Sequence, residues 1–261
     1  MFSNEPRCIY ANNQLAEVIC QLRFPTILTI NAEEPAKFQE AIRDVFPKYA
    51  SRQEQPPAKV TAVPGQPPRV EQQKPVTNYQ FTSADGMYRI HLTQNFISLS
   101  CGRYSRWEEF AKMMDKPLAT FISTYHPAYF ERVGLRYINA FSRTDLGLEE
   151  TPFRELLQPA YIGLLADETV PEAAFGRCSQ DVEMKLPGGC KLKLRSGLGT
   201  LRRNGDTSDK ETKLILDLDV SMGGNIPVNM AAASMQTAHT HVGSIFRDAI
   251  TDTLHGAMEP E

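Results

Sequence analysis

One pattern occurs twice in this chain, and it limits the possible folds more than any other feature. Residues 17–25 read "EVICQLRFP", and residues 131–139 read "ERVGLRYIN". In the first copy Ala16, Val18, Cys20, Leu22 and Phe24 alternate with Glu17, Ile19, Gln21 and Arg23. That two-residue period is the signature of a strand with one buried face, and Pro25 ends it. The second copy carries the same Leu-Arg pair, Leu135 and Arg136.

The segments after the two copies are also alike. After the first, Phe38, Ile42, Val45 and Phe46 have helical spacing over 33–46, with Asn31 placed to cap and Glu33 and Glu34 in the first turn. Pro47 closes that helix. Residues 47–75 are proline-rich and poor in large apolar side chains, so they predict a mobile, extended surface connection without helix. Three short strands come next, "TNYQFTS", "MYRIHLT" and "FISLSC", with Asp85-Gly86 as a hairpin signal between the first two. A helix then opens at "YSRWEEF", where Ser105 and Glu108 have capping-box spacing, and it places Trp107, Phe110, Met114, Phe121 and Tyr125 near one face. Pro117 predicts a kink in it. After the second copy come a helix starting at Thr151-Pro152, strands near "CSQDVEMKL", "CKLKLRSGL" and "TKLILDLDVS", and a helix from about Asn229 to Leu254.

The order is strand, helix, three strands, helix, written twice. The expected class is therefore α+β: an internal duplication with antiparallel sheets and the long helices packed on one face. The units are 1–126 and 127–261. They either join edge to edge in a saddle or stand as two tandem domains.

Composition narrows the function classes. Lys+Arg number 28 against 31 Asp+Glu, so a dedicated nucleic-acid binder, which needs a basic surface, is disfavoured. No run approaches the ~18 apolar residues of a membrane span, and the N-terminus shows no leader pattern, so a cytoplasmic protein without a membrane partner is expected. The five cysteines are widely spaced and form no CxxC, which suggests neither a disulfide framework nor a zinc site.

"EVICQLRFP", "FTSADGMYRIHLTQNFISLSCGRYSRWEEF" and "ERVGLRYIN" resemble a sporadically distributed family of uncharacterised bacterial proteins of about this length, most strongly over 15–141. The resemblance carries no activity, cofactor or catalytic residue. The patchy distribution it implies is that of genes exchanged on mobile elements, which points to an immunity, antitoxin or defence setting.

Strand alternation predicts which side chains leave the helix-covered face: Glu17, Gln21, Arg23, Asn78, Gln80, Arg89 and His91 in the first half, and Arg132, Arg136, Asp181, Glu183, Lys191, Lys193, Arg195, Asp217 and Asp219 in the second. Two readings stand. The face is a binding concavity with Arg23 and Arg136 as matching anion clamps, or it is a cross-strand charge ladder on a solvated sheet. The ladder is the simpler expectation; on either reading, truncating Arg23 or Arg136 should leave folding nearly intact. Asp217 and Asp219 share a face and could hold a metal or act as an acid/base pair in a nuclease or phosphatase, but no third group accompanies them. His239 and His241 point apart on their helix, one into the core and one outward, and His91 is the histidine best placed for a ligand. The glycines of "SGLGTLRRNG" fit neither a phosphate loop nor a dinucleotide fingerprint. The expected function is a non-enzymatic binding or regulatory protein with a protein partner and no cofactor. The alternative is a small-molecule or nucleotide sensor, and a homo-oligomer is left open.

Overall fold

Strand β1 (Leu15–Arg23) lies in the middle of a nine-stranded antiparallel sheet in the computed structural model, which describes residues 2–61, 67–201 and 209–261. The other strands of that sheet are β2 (Lys48–Glu54), β5 (Val76–Thr82), β6 (Tyr88–Thr93), β7 (Phe96–Cys101), β8 (Phe130–Phe141), β9 (Ser179–Lys185), β10 (Cys190–Gly199) and β11 (Lys213–Ile226). Strands β3 (Lys59–Thr61) and β4 (Arg69–Glu71) form a separate hairpin. The sheet order is β2-β5-β6-β7-β1-β8-β11-β10-β9. Going outward from the central β1–β8 pair, each half meets its last strand first and works backward through its meander.

The helices are α1 (Leu28–Ala32), α2 (Ala36–Ile42), α3 (Trp107–Tyr125), α4 (Arg143–Leu146), α5 (Ala231–Ala249) and α6 (Asp252–Ala257). The long ones, α3 and α5, cover one face. Phe24, just past β1, packs on Phe121 of α3 with ring centroids 4.6 Å apart, and Cys20 on β1 touches Met235 of α5. Val18, Cys20, Leu22, Phe24, Val133 and Leu135 are fully buried, as the alternation predicts. Trp107 is 6% exposed between its helix and α5; removing a fully buried ring of that size costs roughly 3–5 kcal/mol.

Several local expectations are corrected. The helix read over 33–46 is shorter, α2 from Ala36 to Ile42 with Pro35 as its N-cap, and a separate short helix, α1, precedes it. Asn31 lies inside α1, and its side chain accepts the Thr77 amide hydrogen instead of capping. The Ser105–Glu108 capping box does not form: Glu108 is taken by Arg7 at 2.5 Å, and the Ser105 hydroxyl donates to Glu109. The helix expected from Thr151 is a series of short 3-10 turns between Phe153 and Ala174, so the second half lacks the first half's helical step in that form. The closing helix breaks at Ile250–Thr251, where the Thr251 hydroxyl accepts from the Leu254 amide and starts α6.

The proline-rich stretch holds the edge strand β2, paired with β5 from Lys48–Thr82 to Glu54–Val76, and the β3–β4 hairpin. Residues 62–66 of that stretch, and 202–208 of "SGLGTLRRNG" and the polar turn after it, lie outside the described residues. Among the described residues no helix is long and apolar enough to cross a membrane.

Candidate binding face

The face opposite α3 and α5 carries the charged side chains, and antiparallel register decides which of them meet. Asp219 lies directly opposite Arg136, and Asp217 opposite Ile138. The ion pairs are nonetheless diagonal. Arg136 grips Asp217 through both carboxylate oxygens at 2.7 and 2.6 Å, and Arg132 reaches Asp219 at 2.5 Å. The second reach passes across Gly134, and a Cβ there would push the Arg132 guanidinium aside. Further out, Lys193 pairs with Glu183 at 2.6 Å and Arg195 with Asp181 at 2.9 Å, both directly across β10 and β9. Lys185 and Lys191 face each other at the outer end, without a carboxylate among the described residues. Asp217 is 7% exposed; the bidentate fork makes its burial tolerable.

The first half is built differently. Its face carries Arg23 at the end of β1, Arg89 and His91 on β6, Gln80 on β5, and the small side chains Ser98 and Ser100 on β7. Register sets Gln80 beside His91, His91 beside Ser98, and Arg89 beside Ser100. Ser98 and Ser100 are buried, and their hydroxyls have no hydrogen-bond partner among the described residues. Arg23 and Arg89 have no ion pair among them either; the pair that this half holds within its sheet strands, Arg52–Glu54 at 3.0 Å, is on the edge strand. His91 faces Asn78 at 3.3 Å, and burial lowers its pKa, so it is neutral at pH 7.

Arg23 and Arg136 do not form one clamp. Arg23 lies opposite Arg132, whereas Arg136 lies opposite Ile19, four residues away along β1 or roughly 13 Å. Arg136 is moreover saturated by Asp217. The two carboxylates considered for a metal or acid/base role, Asp217 and Asp219, each hold an arginine, and among the described residues no group of three or more His, Cys, Asp or Glu is placed to hold a metal ion. The structure thus brings Gln80, Arg89 and His91 together, and separately Arg136, Glu183, Lys193, Asp217 and Asp219, with Arg23 at the rim between the groups.

Two hollows open on this face. One, of about 400 Å³, is lined by Glu17, Met87, Arg89, Ser100, Arg103 and Ile138. The other, of about 440 Å³, is lined by Arg132, Glu183, Lys191, Lys193, Asp219 and Ser221. The sequence reading missed Arg103, just past the end of β7, and the two serines, whose small polar side chains carry no signal of their own. No known family's sequence profile matches the chain, and no curated protein matches it, so the face is read from its own chemistry.

Proposed function

We propose that this is a non-enzymatic binding protein that holds an acidic segment of a partner protein on the open face of its first half. The observation that carries the reading is the unequal pairing: Arg89, beside Ser100, and Arg23, opposite Phe96 at the rim, are uncommitted, while Arg132, Arg136, Lys193 and Arg195 are spent on their own sheet. Unpaired guanidinium groups next to hydroxyls suit carboxylates, which they can bind in pairs of hydrogen bonds. The resemblance to a sporadic bacterial family favours an immunity, antitoxin or defence partner, and the free thiols of Cys8, Cys20, Cys101, Cys178 and Cys190 suit a reducing cytoplasm.

The reading includes a duplicated origin, with units 1–126 and 127–261 joined through β1 and β8 as a saddle. When Leu22-Arg23 is aligned with Leu135-Arg136, Gln21 matches Gly134, and these two residues face each other in the register. A twofold axis through that pair would relate the halves. The hollow beside Arg89, where Arg89 and Arg103 adjoin Glu17 and Asp85, favours a second reading, a sensor for a small molecule or nucleotide.

The test is affinity capture from producing cells with three forms of the protein. A partner retained by the wild type and by Lys193→Ala/Arg195→Ala, but lost from folded Arg23→Ala/Arg89→Ala, is the expected result. Equal capture by both double variants would overturn the reading.

A further inference from the structure

The opposite side of the sheet holds a polar arrangement that the open face does not use. Where α3 and α5 meet over β8, Tyr104 Oη lies 3.1 Å from Tyr137 Oη, which lies 3.1 Å from His239 Nδ1. The His239 ring lies flat on the Trp107 indole, with centroids 4.5 Å apart and 8° between planes. The indole N–H donates to Gln236 Oε1 at 2.7 Å, which fixes the ring. His239 is 9% exposed, and its Nε2 has no protein partner among the described residues.

Space adjoins that ring on both sides of the N-terminal segment. A hollow of about 490 Å³ is lined by Trp107, Ala111, Gln236, His239, Gly243 and Phe246, and a smaller one of about 110 Å³ by Tyr104, Tyr137, Asn139, His239, Val242 and Gly243. Arg7, Cys8 and Tyr10 lie between the two and border both. Gly243 lines both hollows, and a Cβ there would meet nothing within 4 Å. The larger one falls in the range of roughly 300–1,000 Å³ that small-molecule sites occupy, and its walls are mixed, with Trp107, Ala111 and Phe246 beside the polar Gln236, His239, Thr240 and Ser244.

Charge and protons narrow the ligand. The cations at the rim are matched, Arg7 with Glu108 and Arg247 with Glu5, so no free charge faces the space among the described residues. Burial lowers the His239 pKa to about 4, so the ring is neutral at pH 7. The Tyr104–Tyr137–His239 chain can run in either direction. If Tyr137 donates to Nδ1, Nε2–H is a donor; if Nδ1–H donates to Tyr137, Nε2 is an acceptor and the Tyr104 hydroxyl is free to donate. We propose that this seam binds a small uncharged heteroaromatic molecule, lying between the walls of Trp107 and Phe246 and hydrogen-bonded to His239 Nε2.

The site is separate from the open face, and Trp107, the only tryptophan, reports on it directly. Its emission should be followed on titration with adenosine, benzimidazole and 4-quinazolinone. The expected result is a saturable change with at least one probe in the wild type and in Arg23→Ala/Arg89→Ala. The apparent affinity should drop at least tenfold in His239→Phe, which keeps the stacked ring and removes Nε2, and binding should be lost in Gly243→Leu, which fills the space. No saturable response to any of the three probes up to millimolar concentration would overturn the proposal, as would unchanged affinity in folded His239→Phe.

Discussion

The two halves of the open face share a strand order and differ in what their charges do. In the second half four basic side chains are closed into ion pairs, two across β8 and β11 and two across β9 and β10. In the first, Arg23 and Arg89 find no carboxylate among the described residues, and serines replace the acidic row. The same backbone pattern therefore carries a self-contained ladder on one side and an open array on the other. Charge content separates the two: the second half supplies four carboxylates, and the register sets them within reach of its arginines and lysines.

The strongest attack on this comparison strikes what the halves share. Leu22 and Leu135 are fully buried on the helix-covered face of adjacent strands, β1 and β8. Leu22→Asp or Leu135→Asp would each bury an unpaired carboxylate, at several kcal/mol against a total stability of about 5–15 kcal/mol. Both variants should be unfolded at 25 °C by circular dichroism. If one folded normally while the other did not, the halves would not rest on one core.

Acid should act through His91 of the first half and His239 of the seam. His91 on the first face and His239 under both halves have pKa values lowered by burial, His239 to about 4. A histidine held neutral in the fold but titrating near 6.5 when unfolded leaves the unfolded state binding more protons. Stability is then full above pH ~6.5 and falls on acidification until the folded pKa is passed, by about 1.4 kcal/mol per pH unit and about 3 kcal/mol in all for His239. The charged groups that set the His239 pKa, after burial itself, are Arg7, which lowers it, and Glu108, which raises it. Glu108 itself, held near 2 by Arg7, titrates in a lower window. Urea titrations from pH 7 to 4 should show the slope in the wild type and lose most of it in His239→Phe; an unchanged slope in that variant would place the titration elsewhere.

The arginines themselves sharpen the contrast. Arg136→Ala strips the bidentate partner from buried Asp217 and should cost about 2 kcal/mol. That is less than the ~3–5 kcal/mol of a fully buried pair, because the Arg136 side chain is 37% exposed. On this geometry the two arginines part: Arg136→Ala is expected to cost stability, whereas the sequence pattern alone makes both silent in folding. Arg136→Ala/Asp217→Ala should recover much of the loss in a double-mutant cycle. A cost no greater than that of Arg23→Ala would mean that the fork contributes nothing.

The range of the forces involved decides how much of this was legible in the sequence. The alternation of β1 and β8, the meander around Asp85-Gly86 and the apolar stripes of α3 and α5 are local patterns, and each appears where its period puts it. Strand β2 was hidden because an exposed edge strand needs only the hydrogen bonds of β5, and "KYASRQE" shows no apolar alternation. The capping box failed because Arg7, 101 residues away, claims Glu108. The diagonal grip of Arg136 on Asp217 and the contact of Tyr137 with His239 join residues 81 and 102 apart. Such pairs depend on register and helix docking, which no local window contains.

The smallest effects give the most discriminating test, because their signs differ. Arg23 is exposed and lies directly opposite Arg132, so Arg23→Ala removes a like-charge neighbour and should stabilise by a few tenths of a kcal/mol. Lys193 lies directly opposite Glu183 and is paired with it at 2.6 Å, so Lys193→Ala should destabilise by about 0.2–1 kcal/mol. Both effects are electrostatic at a wet surface, where the screening length shrinks from about 10 Å at 0.1 M salt to about 3 Å at 1 M. Urea midpoints at 50 mM and 1 M NaCl should therefore show opposite shifts that both shrink at high salt. Shifts of the same sign, or shifts indifferent to salt, would mean that the two halves of the face do not differ in the way their pairing implies.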